Sequence, residues 1–313
     1  MAWQNAPSLL NKLTASQQGG NRGAQLWGVD YKGTLHTTYQ ETPGGEWSDW
    51  QGPEWGGPGF PKQVYELAAA QQGNGGVRIW VIDVRQQLWT NRQLGPGGGW
   101  EGWRGPGWNN LPPSVKLRKL AASRMEGGKG AQFWGTTDNG ILTSCSQIVP
   151  GSSWSPWQDF KATPEGSRWI EVTAAQQGDG KGALWGLDSK RQLWGTGQAS
   201  RGGEWGAWSG PNWLGAPKLR NIAAVEGSTG AILWGQTEDY RIVSNFQVKR
   251  GANEWSGWSS GDWLNAPHSY ELTAAGQNNG CVQLWALNLQ QVLHSIAQTG
   301  SSCGWDTWQP PRR

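Results

Sequence analysis

Tryptophan is the residue type on which any chemistry of this sequence must rest. The stretch Gly44 to Trp55 reads GGEWSDWQGPEW, and nearly the same words return at Gly97 to Trp108 and Gly202 to Trp213. A weaker copy, ANEWSGWSSGDW, ends at Trp263. The chain holds 26 tryptophans and 49 glycines against 4 phenylalanines. An indole has a flat apolar face and one N–H donor, so it can stack on a patch of C–H groups while neighbouring polar side chains address hydroxyls. The indoles expected to serve as such platforms are those of the linkers, Trp3, Trp55, Trp108, Trp213 and Trp263. The polar partners expected beside them sit in short turns: Asp30 and Lys32, Asp83 and Arg85, Asp138 and Asn139, Asp188 and Arg191, Glu238 and Asp239, Asn288 and Gln290. Asp in a tight turn also bonds its own backbone, and that structural role competes with ligand binding at each of these positions.

An aromatic platform ringed by hydrogen-bonding edges suits a saccharide, whose C–H patches and hydroxyls ask for both. Catalytic chemistry is not expected. Cleavage of a glycoside needs an acid and a base or nucleophile grouped once, whereas the acidic residues here recur along the chain. His36, His268 and His294 lack metal-ligand spacing, Cys145 has no evident base, and no phosphate loop or G-x-S-x-G turn occurs. No cofactor or metal is called for. Lys and Arg number 26 against 23 Asp and Glu, scattered without a basic run, which reads as a solubilised surface with no nucleic-acid footprint. No apolar run reaches membrane-spanning length, and the first residues, MAWQNAPSLLNKL, lack the features of a secretory signal. Location and oligomeric state stay open. Cys281 and Cys303 fall in one repeat and are able to pair, and Cys145 is expected as a buried thiol.

The elements that position these residues follow from a period. The W-G-x-D motif and its variants align Trp27, Trp80, Trp134, Trp185, Trp234 and Trp285. The W-x-x-W pairs keep the same beat: Trp47/Trp50, Trp100/Trp103, Trp154/Trp157, Trp205/Trp208, Trp255/Trp258 and Trp305/Trp308. Each copy reads as four short strands with Gly-rich turns, as in YELAAAQQ, VRIWVID, QLWTNRQ and WEGW of the second. Repeats of about fifty residues with four strands are propeller blades, so the fold class expected is all-β, a six-bladed β-propeller. Blades are expected at about 8–53, 62–106, 116–160, 169–211, 218–261 and 269–309, with residues 1–7 completing the last linker in a single domain over 1–313. The small-residue first strands (TAS, AAA, AAS, TAA, IAA, TAA) are expected at the axis. Residues three apart on a strand point to opposite faces, so each W-x-x-W is expected to offer one indole to each neighbouring blade. The linker tryptophan and the hairpin's polar residues are expected to converge between blades. The third copy departs from the rest, with Phe160 in place of a linker tryptophan. Gln40, Gln93, Gln147, Gln198, Gln247 and Gln298 recur at the end of strand three and are expected to satisfy turn backbone groups.

The motif GG-x-W-S-x-W at Gly44 to Trp50, and loosely at Gly251 to Trp258, resembles the tryptophan-rich sugar-binding propellers, the tectonin-type lectins and the lectins typified by that of Photorhabdus. The resemblance implies multivalent recognition of glycans in pockets between or on blades. A second reading, from another class, is a non-catalytic propeller scaffold for a protein partner, which would use one asymmetric patch instead of repeated grooves.

Overall fold

The computed structural model describes residues Ala6 to Gln309 except 8, 126–129, 150, 152, 161–163, 165–167, 251–252, 260–261 and 300–302. Six antiparallel sheets stand around one axis. They comprise β1 (Leu10–Gln17), β2 (Ala24–Asp30) and β3 (Leu35–Tyr39); β4 (Val64–Gln71), β5 (Val77–Asp83) and β6 (Leu88–Arg92); and β7 (Leu117–Met125), β8 (Gly130–Thr137), β9 (Leu142–Ser146) and β10 (Gln158–Asp159). Then follow β11 (Trp169–Gln176), β12 (Gly182–Asp188) and β13 (Leu193–Gly197); β14 (Leu219–Gly227), β15 (Gly230–Thr237) and β16 (Ile242–Phe246); and β17 (Ser269–Gly276), β18 (Val282–Asn288), β19 (Leu293–Thr299) and β20 (Gly304–Trp305). The chain is thus a six-bladed β-propeller, as the period of the two tryptophan markers requires.

Register explains the choice of side chains in each blade. Trp27 of the middle strand lies opposite Thr14 on one side and Thr37 on the other, and Trp80 opposite Ala68 and Thr90. A large indole is flanked by small residues in every blade, so strand one is small because of the axis and because of the indole beside it. Trp27, Trp80, Trp134, Trp185, Trp234 and Trp285 are fully buried. The recurring glutamines act alike: the Oε1 atoms of Gln40, Gln93, Gln147, Gln198, Gln247 and Gln298 accept the first or second backbone N–H group of each middle strand, from Ala24 to Val282. Gln147→Ala would strand the buried N–H of Ala131 and remove one of the two donors to Gln72 Oε1, leaving only Arg78. It is expected to cost about 1–3 kcal/mol in urea unfolding, and a change within error would remove this role.

Each inner strand opens with a β-bulge, where the register slips between Leu10 and Lys12, Val64 and Glu66, Leu117 and Lys119, Trp169 and Glu171, Leu219 and Asn221, and Ser269 and Glu271. A bulge re-aims the side chain that follows it. Lys12, Glu66, Lys119, Glu171, Asn221 and Glu271 accordingly line one end of the central channel. Lys119 Nζ lies 3.1 Å from Glu66 and 2.9 Å from Glu171, and Lys12 Nζ lies 3.0 Å from Glu271. The last pair joins the first and sixth blades. There the Leu13 N–H also donates to Glu271, and the Tyr270 hydroxyl donates to the Leu10 carbonyl at 2.8 Å. Among the described residues the sixth sheet is built from the last repeat alone. Within that blade Cys281 and Cys303 form a disulfide with Cα atoms 5.2 Å apart, and Cys145 is a buried free thiol.

One expectation is corrected. Both indoles of a W-x-x-W pair face the preceding blade: Trp100 and Trp103 both pack on Trp55, and Trp154 and Trp157 both pack on Trp108. The outer strand carries an extra residue. Between the paired positions Gln93↔Trp100 and Thr90↔Arg104, Asn91 and Arg92 face Glu101, Gly102 and Trp103. Two residues opposite three is a bulge, and it brings positions three apart onto one face.

Candidate functional site

At the five interblade boundaries whose linker is among the described residues, the space is filled by the middle-strand indole of one blade, the linker residue after it, and the W-x-x-W of the next. Trp185, Trp213 and Trp255 meet between blades four and five with edge-to-face geometry, their centroids 5.9 Å (Trp185–Trp213) and 4.8 Å (Trp213–Trp255) apart. Trp234, Trp263 and Trp305 repeat the arrangement one blade on. Such pairs favour T-shaped contact because the ring edge is positive and its face negative. The linker brings its tryptophan there by a short 3-10 turn with left-handed residues, Asn212 and Leu214 around Trp213 and Leu264 after Trp263. Trp55, Trp108, Trp213 and Trp263 are each half-buried, clamped on one side by the stack. Trp3 lies outside the described residues. At the third boundary Phe160 is buried in the same place, against Trp134, Trp205 and Trp208.

The hairpin residues are organised differently. The Oδ1 atom of Asp83 accepts the N–H groups of Arg85 and Gln87 at 2.9 Å, and its Oδ2 accepts the Trp89 indole N–H at 3.0 Å. Asp188 makes the same three bonds to Lys190, Gln192 and Trp194. Asp30 does so with Lys32, Thr34 and His36, and in Asn288 the Oδ1 atom accepts the N–H groups of Gln290 and Val292 while the Nδ2 amide donates to His294 Nε2. Burial pushes the Asp30 carboxyl up, but the bonds from Thr34, His36 and Lys32 outweigh it and hold the group below its usual range. In blades three and five the hydroxyls of Thr137 and Thr237 take the turn N–H instead. Arg191 reaches Glu238 on the next hairpin at 3.1 Å, Asp239 pairs with Arg241, and Asp138 pairs with Arg118. Lys32, Arg85, Asn139 and Gln290 are exposed.

The expected convergence of linker tryptophans with hairpin polar residues is therefore not what the chain builds. The 3-10 turn folds the indole back between the outer strands, toward the opposite end of the blade. Trp213 shares its groove with Asp179 and Lys181 of the turn between strands one and two. Grooves at the hairpin end are lined instead by Trp89 or Trp157.

What distinguishes one boundary from another is a column the sequence reading passed over, two residues before each middle-strand tryptophan: Gln25, Arg78, Gln132, Ala183, Ile232 and Gln283. Arg78 fills its boundary, 4% exposed, with its guanidinium carbon 5.5 Å from the Trp108 centroid and 5.7 Å from that of Trp154. Burial, with Arg92 nearby, lowers its pKa to about 9. Blade four is cleared at the same place. It has Ala183 in that column, Gly195 where other blades have Thr or Ser, Gly197 where they have Tyr39, Arg92, Ser146, Phe246 or Ala297, and Gly206 opposite. A groove of about 400 Å³ results, walled by Trp185, Trp213 and Trp255 and edged by Gln198 and Ser209. A Cβ on Gly195 would stand 2.8 Å from Trp213 Nε1, so glycine there is what lets that indole lie against the strand.

The architecture is shared with solved lectins. The chain is similar to AofleA from Arthrobotrys oligospora, at 12% identity and a TM-score of 0.68, covering 97% of this chain and 87% of that one. It is similar to the fucose-specific lectin from Aleuria aurantia at 15% identity and 0.67, covering 97% and 98%. A lectin from Burkholderia pseudomallei gives 17% and 0.63, covering 96% and 84%. The Aleuria protein is described as a six-bladed β-propeller with a novel fucose recognition mode. No protein-family model and no curated protein matches the sequence. At these identities the likeness establishes the fold.

The described residues hold no group of His, Cys, Asp and Glu arranged for a metal ion. No helix of the described residues is long and apolar enough to cross a membrane. The groove-centre column was legible in principle, by aligning on the tryptophan and reading two places back. Its variability hid it, because a repeat is found by what stays the same.

Proposed function

We propose that the protein is a carbohydrate-binding lectin that holds glycans in its interblade grooves, with the groove between blades four and five as the principal site. The observation that carries this reading is the clearing of blade four at Ala183, Gly195, Gly197 and Gly206 beside three ordered indoles. Its volume falls in the range of small-ligand sites, which combine apolar walls with a few placed polar groups. Trp213 supplies a stacking surface, while Ser209, Asp179 and Lys181 supply hydrogen-bonding edges. The lectins that share the fold support the same class of ligand. Grooves elsewhere in the ring repeat the indoles with other centre residues, so binding is graded around the ring, and several sites on one body strengthen attachment to a glycan-bearing surface by avidity.

The site binds and does not cleave. Burial raises the Asp179 carboxyl, but Lys181 at 2.8 Å and the backbone outweigh that and hold it ionised. A glycosidase's general acid needs the opposite shift. Trp213→Ala is expected to weaken binding at this groove by about 1–3 kcal/mol, by analogy with bases stacked on aromatic side chains. Titration calorimetry against a panel of monosaccharides checks it. An unchanged site count and affinity for the sugar that wild type binds would place recognition elsewhere.

A further inference from the structure

The hairpin end of the ring carries two large grooves at corresponding places, and their charge differs: the first is basic and the second is balanced, its Asp138 held in an ion pair with Arg118. The first, about 600 Å³, lies between blades one and two and is lined by Lys32, Lys62, Arg85, Phe60 and Trp89. The second, about 680 Å³, lies between blades two and three and is lined by Lys116 with Asp138 and Asp159. In the first, Lys32, Lys62 and Arg85 are exposed, and none forms a salt bridge among the described residues. The acid beside them, Asp83, has both oxygens occupied by its own hairpin and by Trp89. Trp89 is thereby pinned, and Gly105 lies against its six-membered ring, where a Cβ would fall 2.7 Å away. The result is an aromatic wall of fixed orientation facing three uncompensated cations.

We propose that this groove binds an acidic saccharide, one carrying a sulfate or carboxylate. The ligand class follows from two features together. Uncompensated cations around a concave site select an anion and raise its local concentration. The indole and phenyl walls add a surface for C–H groups, which inorganic anions and phosphodiester backbones do not use in the same way. A long polyanion is disfavoured by the next groove around the ring, where Asp138 is paired with Arg118 and Asp159 shares the lining with Lys116, so the basic lining does not continue. The site is separate from the groove at blades four and five, and it rests on the lectin reading only in that its ligand is a sugar.

The test is calorimetric titration of the whole protein with a sulfated disaccharide prepared from heparin and with its desulfated form. Wild type binds the sulfated form, more weakly as salt is raised, and binds the desulfated form at least about fivefold more weakly. Arg85→Glu and Lys62→Glu each reduce binding by about fivefold or more, whereas Lys116→Glu in the second groove leaves it unchanged. Arg85 and Lys62 are exposed and Lys116 is half-buried, and a thermal melt confirms that each variant is folded. Equal affinity for both disaccharides, insensitivity to Arg85→Glu and Lys62→Glu, or equally tight binding of inorganic sulfate, an acidic peptide or an oligonucleotide would each overturn the proposal. Neutral monosaccharide titrated into Arg85→Glu reports on the groove at blades four and five separately, so failure of one reading is distinguished from failure of the other.

Discussion

Lys119→Met is expected to destabilise the propeller by about 3–5 kcal/mol at neutral pH, because it removes the cation shared by two buried carboxylates. Lys119 stands between Glu66 and Glu171 in the channel ring, and its side chain and theirs are 23%, 8% and 13% exposed, too little for water to replace the lost partner. Burial lowers the Lys119 pKa, but Glu171, Glu66 and Glu271 outweigh it and hold the group well above its ordinary 10.5. A raised lysine contributes stability that is complete below 10.5 and is lost as pH rises through the folded value. Wild type should therefore lose stability in strong alkali, in the same range where Tyr65 and Tyr270, both raised by burial to about 12, also titrate. The variant should behave differently in acid. With the lysine gone the carboxyls are favoured in their protonated form, so its deficit should shrink as pH falls, and Glu66→Gln added to Lys119→Met should recover much of the loss at neutral pH. Urea unfolding across pH measures this. A deficit of a few tenths of a kcal/mol, or one that does not change on acidification, would mean that the ring is solvated and contributes little.

Trp80→Ala is expected to cost about 3–5 kcal/mol through the cavity it leaves. Trp80 is fully buried, opposite Ala68 and Thr90, and its ring lies 4.9 Å from Phe133 and 5.5 Å from Trp154. It also forms one wall around Arg78, whose buried charge is held by Gln72, Thr90 and three indole faces and by no carboxylate among the described residues. Loss of the wall lets water reach the guanidinium, so the Arg78 pKa should return toward that of an exposed arginine. Trp108→Ala, at a half-buried position in the same stack, should cost less. Thermal and urea unfolding of the two variants decides the order; equal losses would show that linker and middle-strand indoles contribute alike.

The blades were legible because two tryptophan markers with one period are a signal that local accidents do not imitate. The flanking small residues, the glutamine column and the place of Phe160 followed from that alignment. The facing of the W-x-x-W pairs was not legible, since it depends on one extra residue opposite Asn91 and Arg92, and a bulge leaves no mark in spacing. The same holds for the channel ring. Lys12, Glu66, Lys119, Glu171 and Glu271 look like ordinary surface charges in strands that begin at the turn, until the bulge before each turns it inward. The convergence of linker tryptophans with hairpin residues failed for a related reason. Strand order predicts which turns share an end of the blade, but a 3-10 turn with left-handed residues carries Trp213 away from the hairpin that its position in the chain suggests. The hairpin Asp and Asn residues were identified by type and place, and their engagement with Trp89, Trp194, His36 and His294 six residues on is a regularity that the tryptophan alignment also contains.

The most direct test of carbohydrate binding at blades four and five is a glycan array probed with wild type and with Ala183→Arg, each with and without free monosaccharide as competitor. Arginine at this column is compatible with the fold, because Arg78 occupies the equivalent place in blade two. Wild type is expected to retain a discrete set of glycans and to be displaced by the free sugar they share, and Ala183→Arg to melt like wild type while losing most of that signal. Retention of no glycan by wild type, or an unchanged array pattern for Ala183→Arg, would contradict the account.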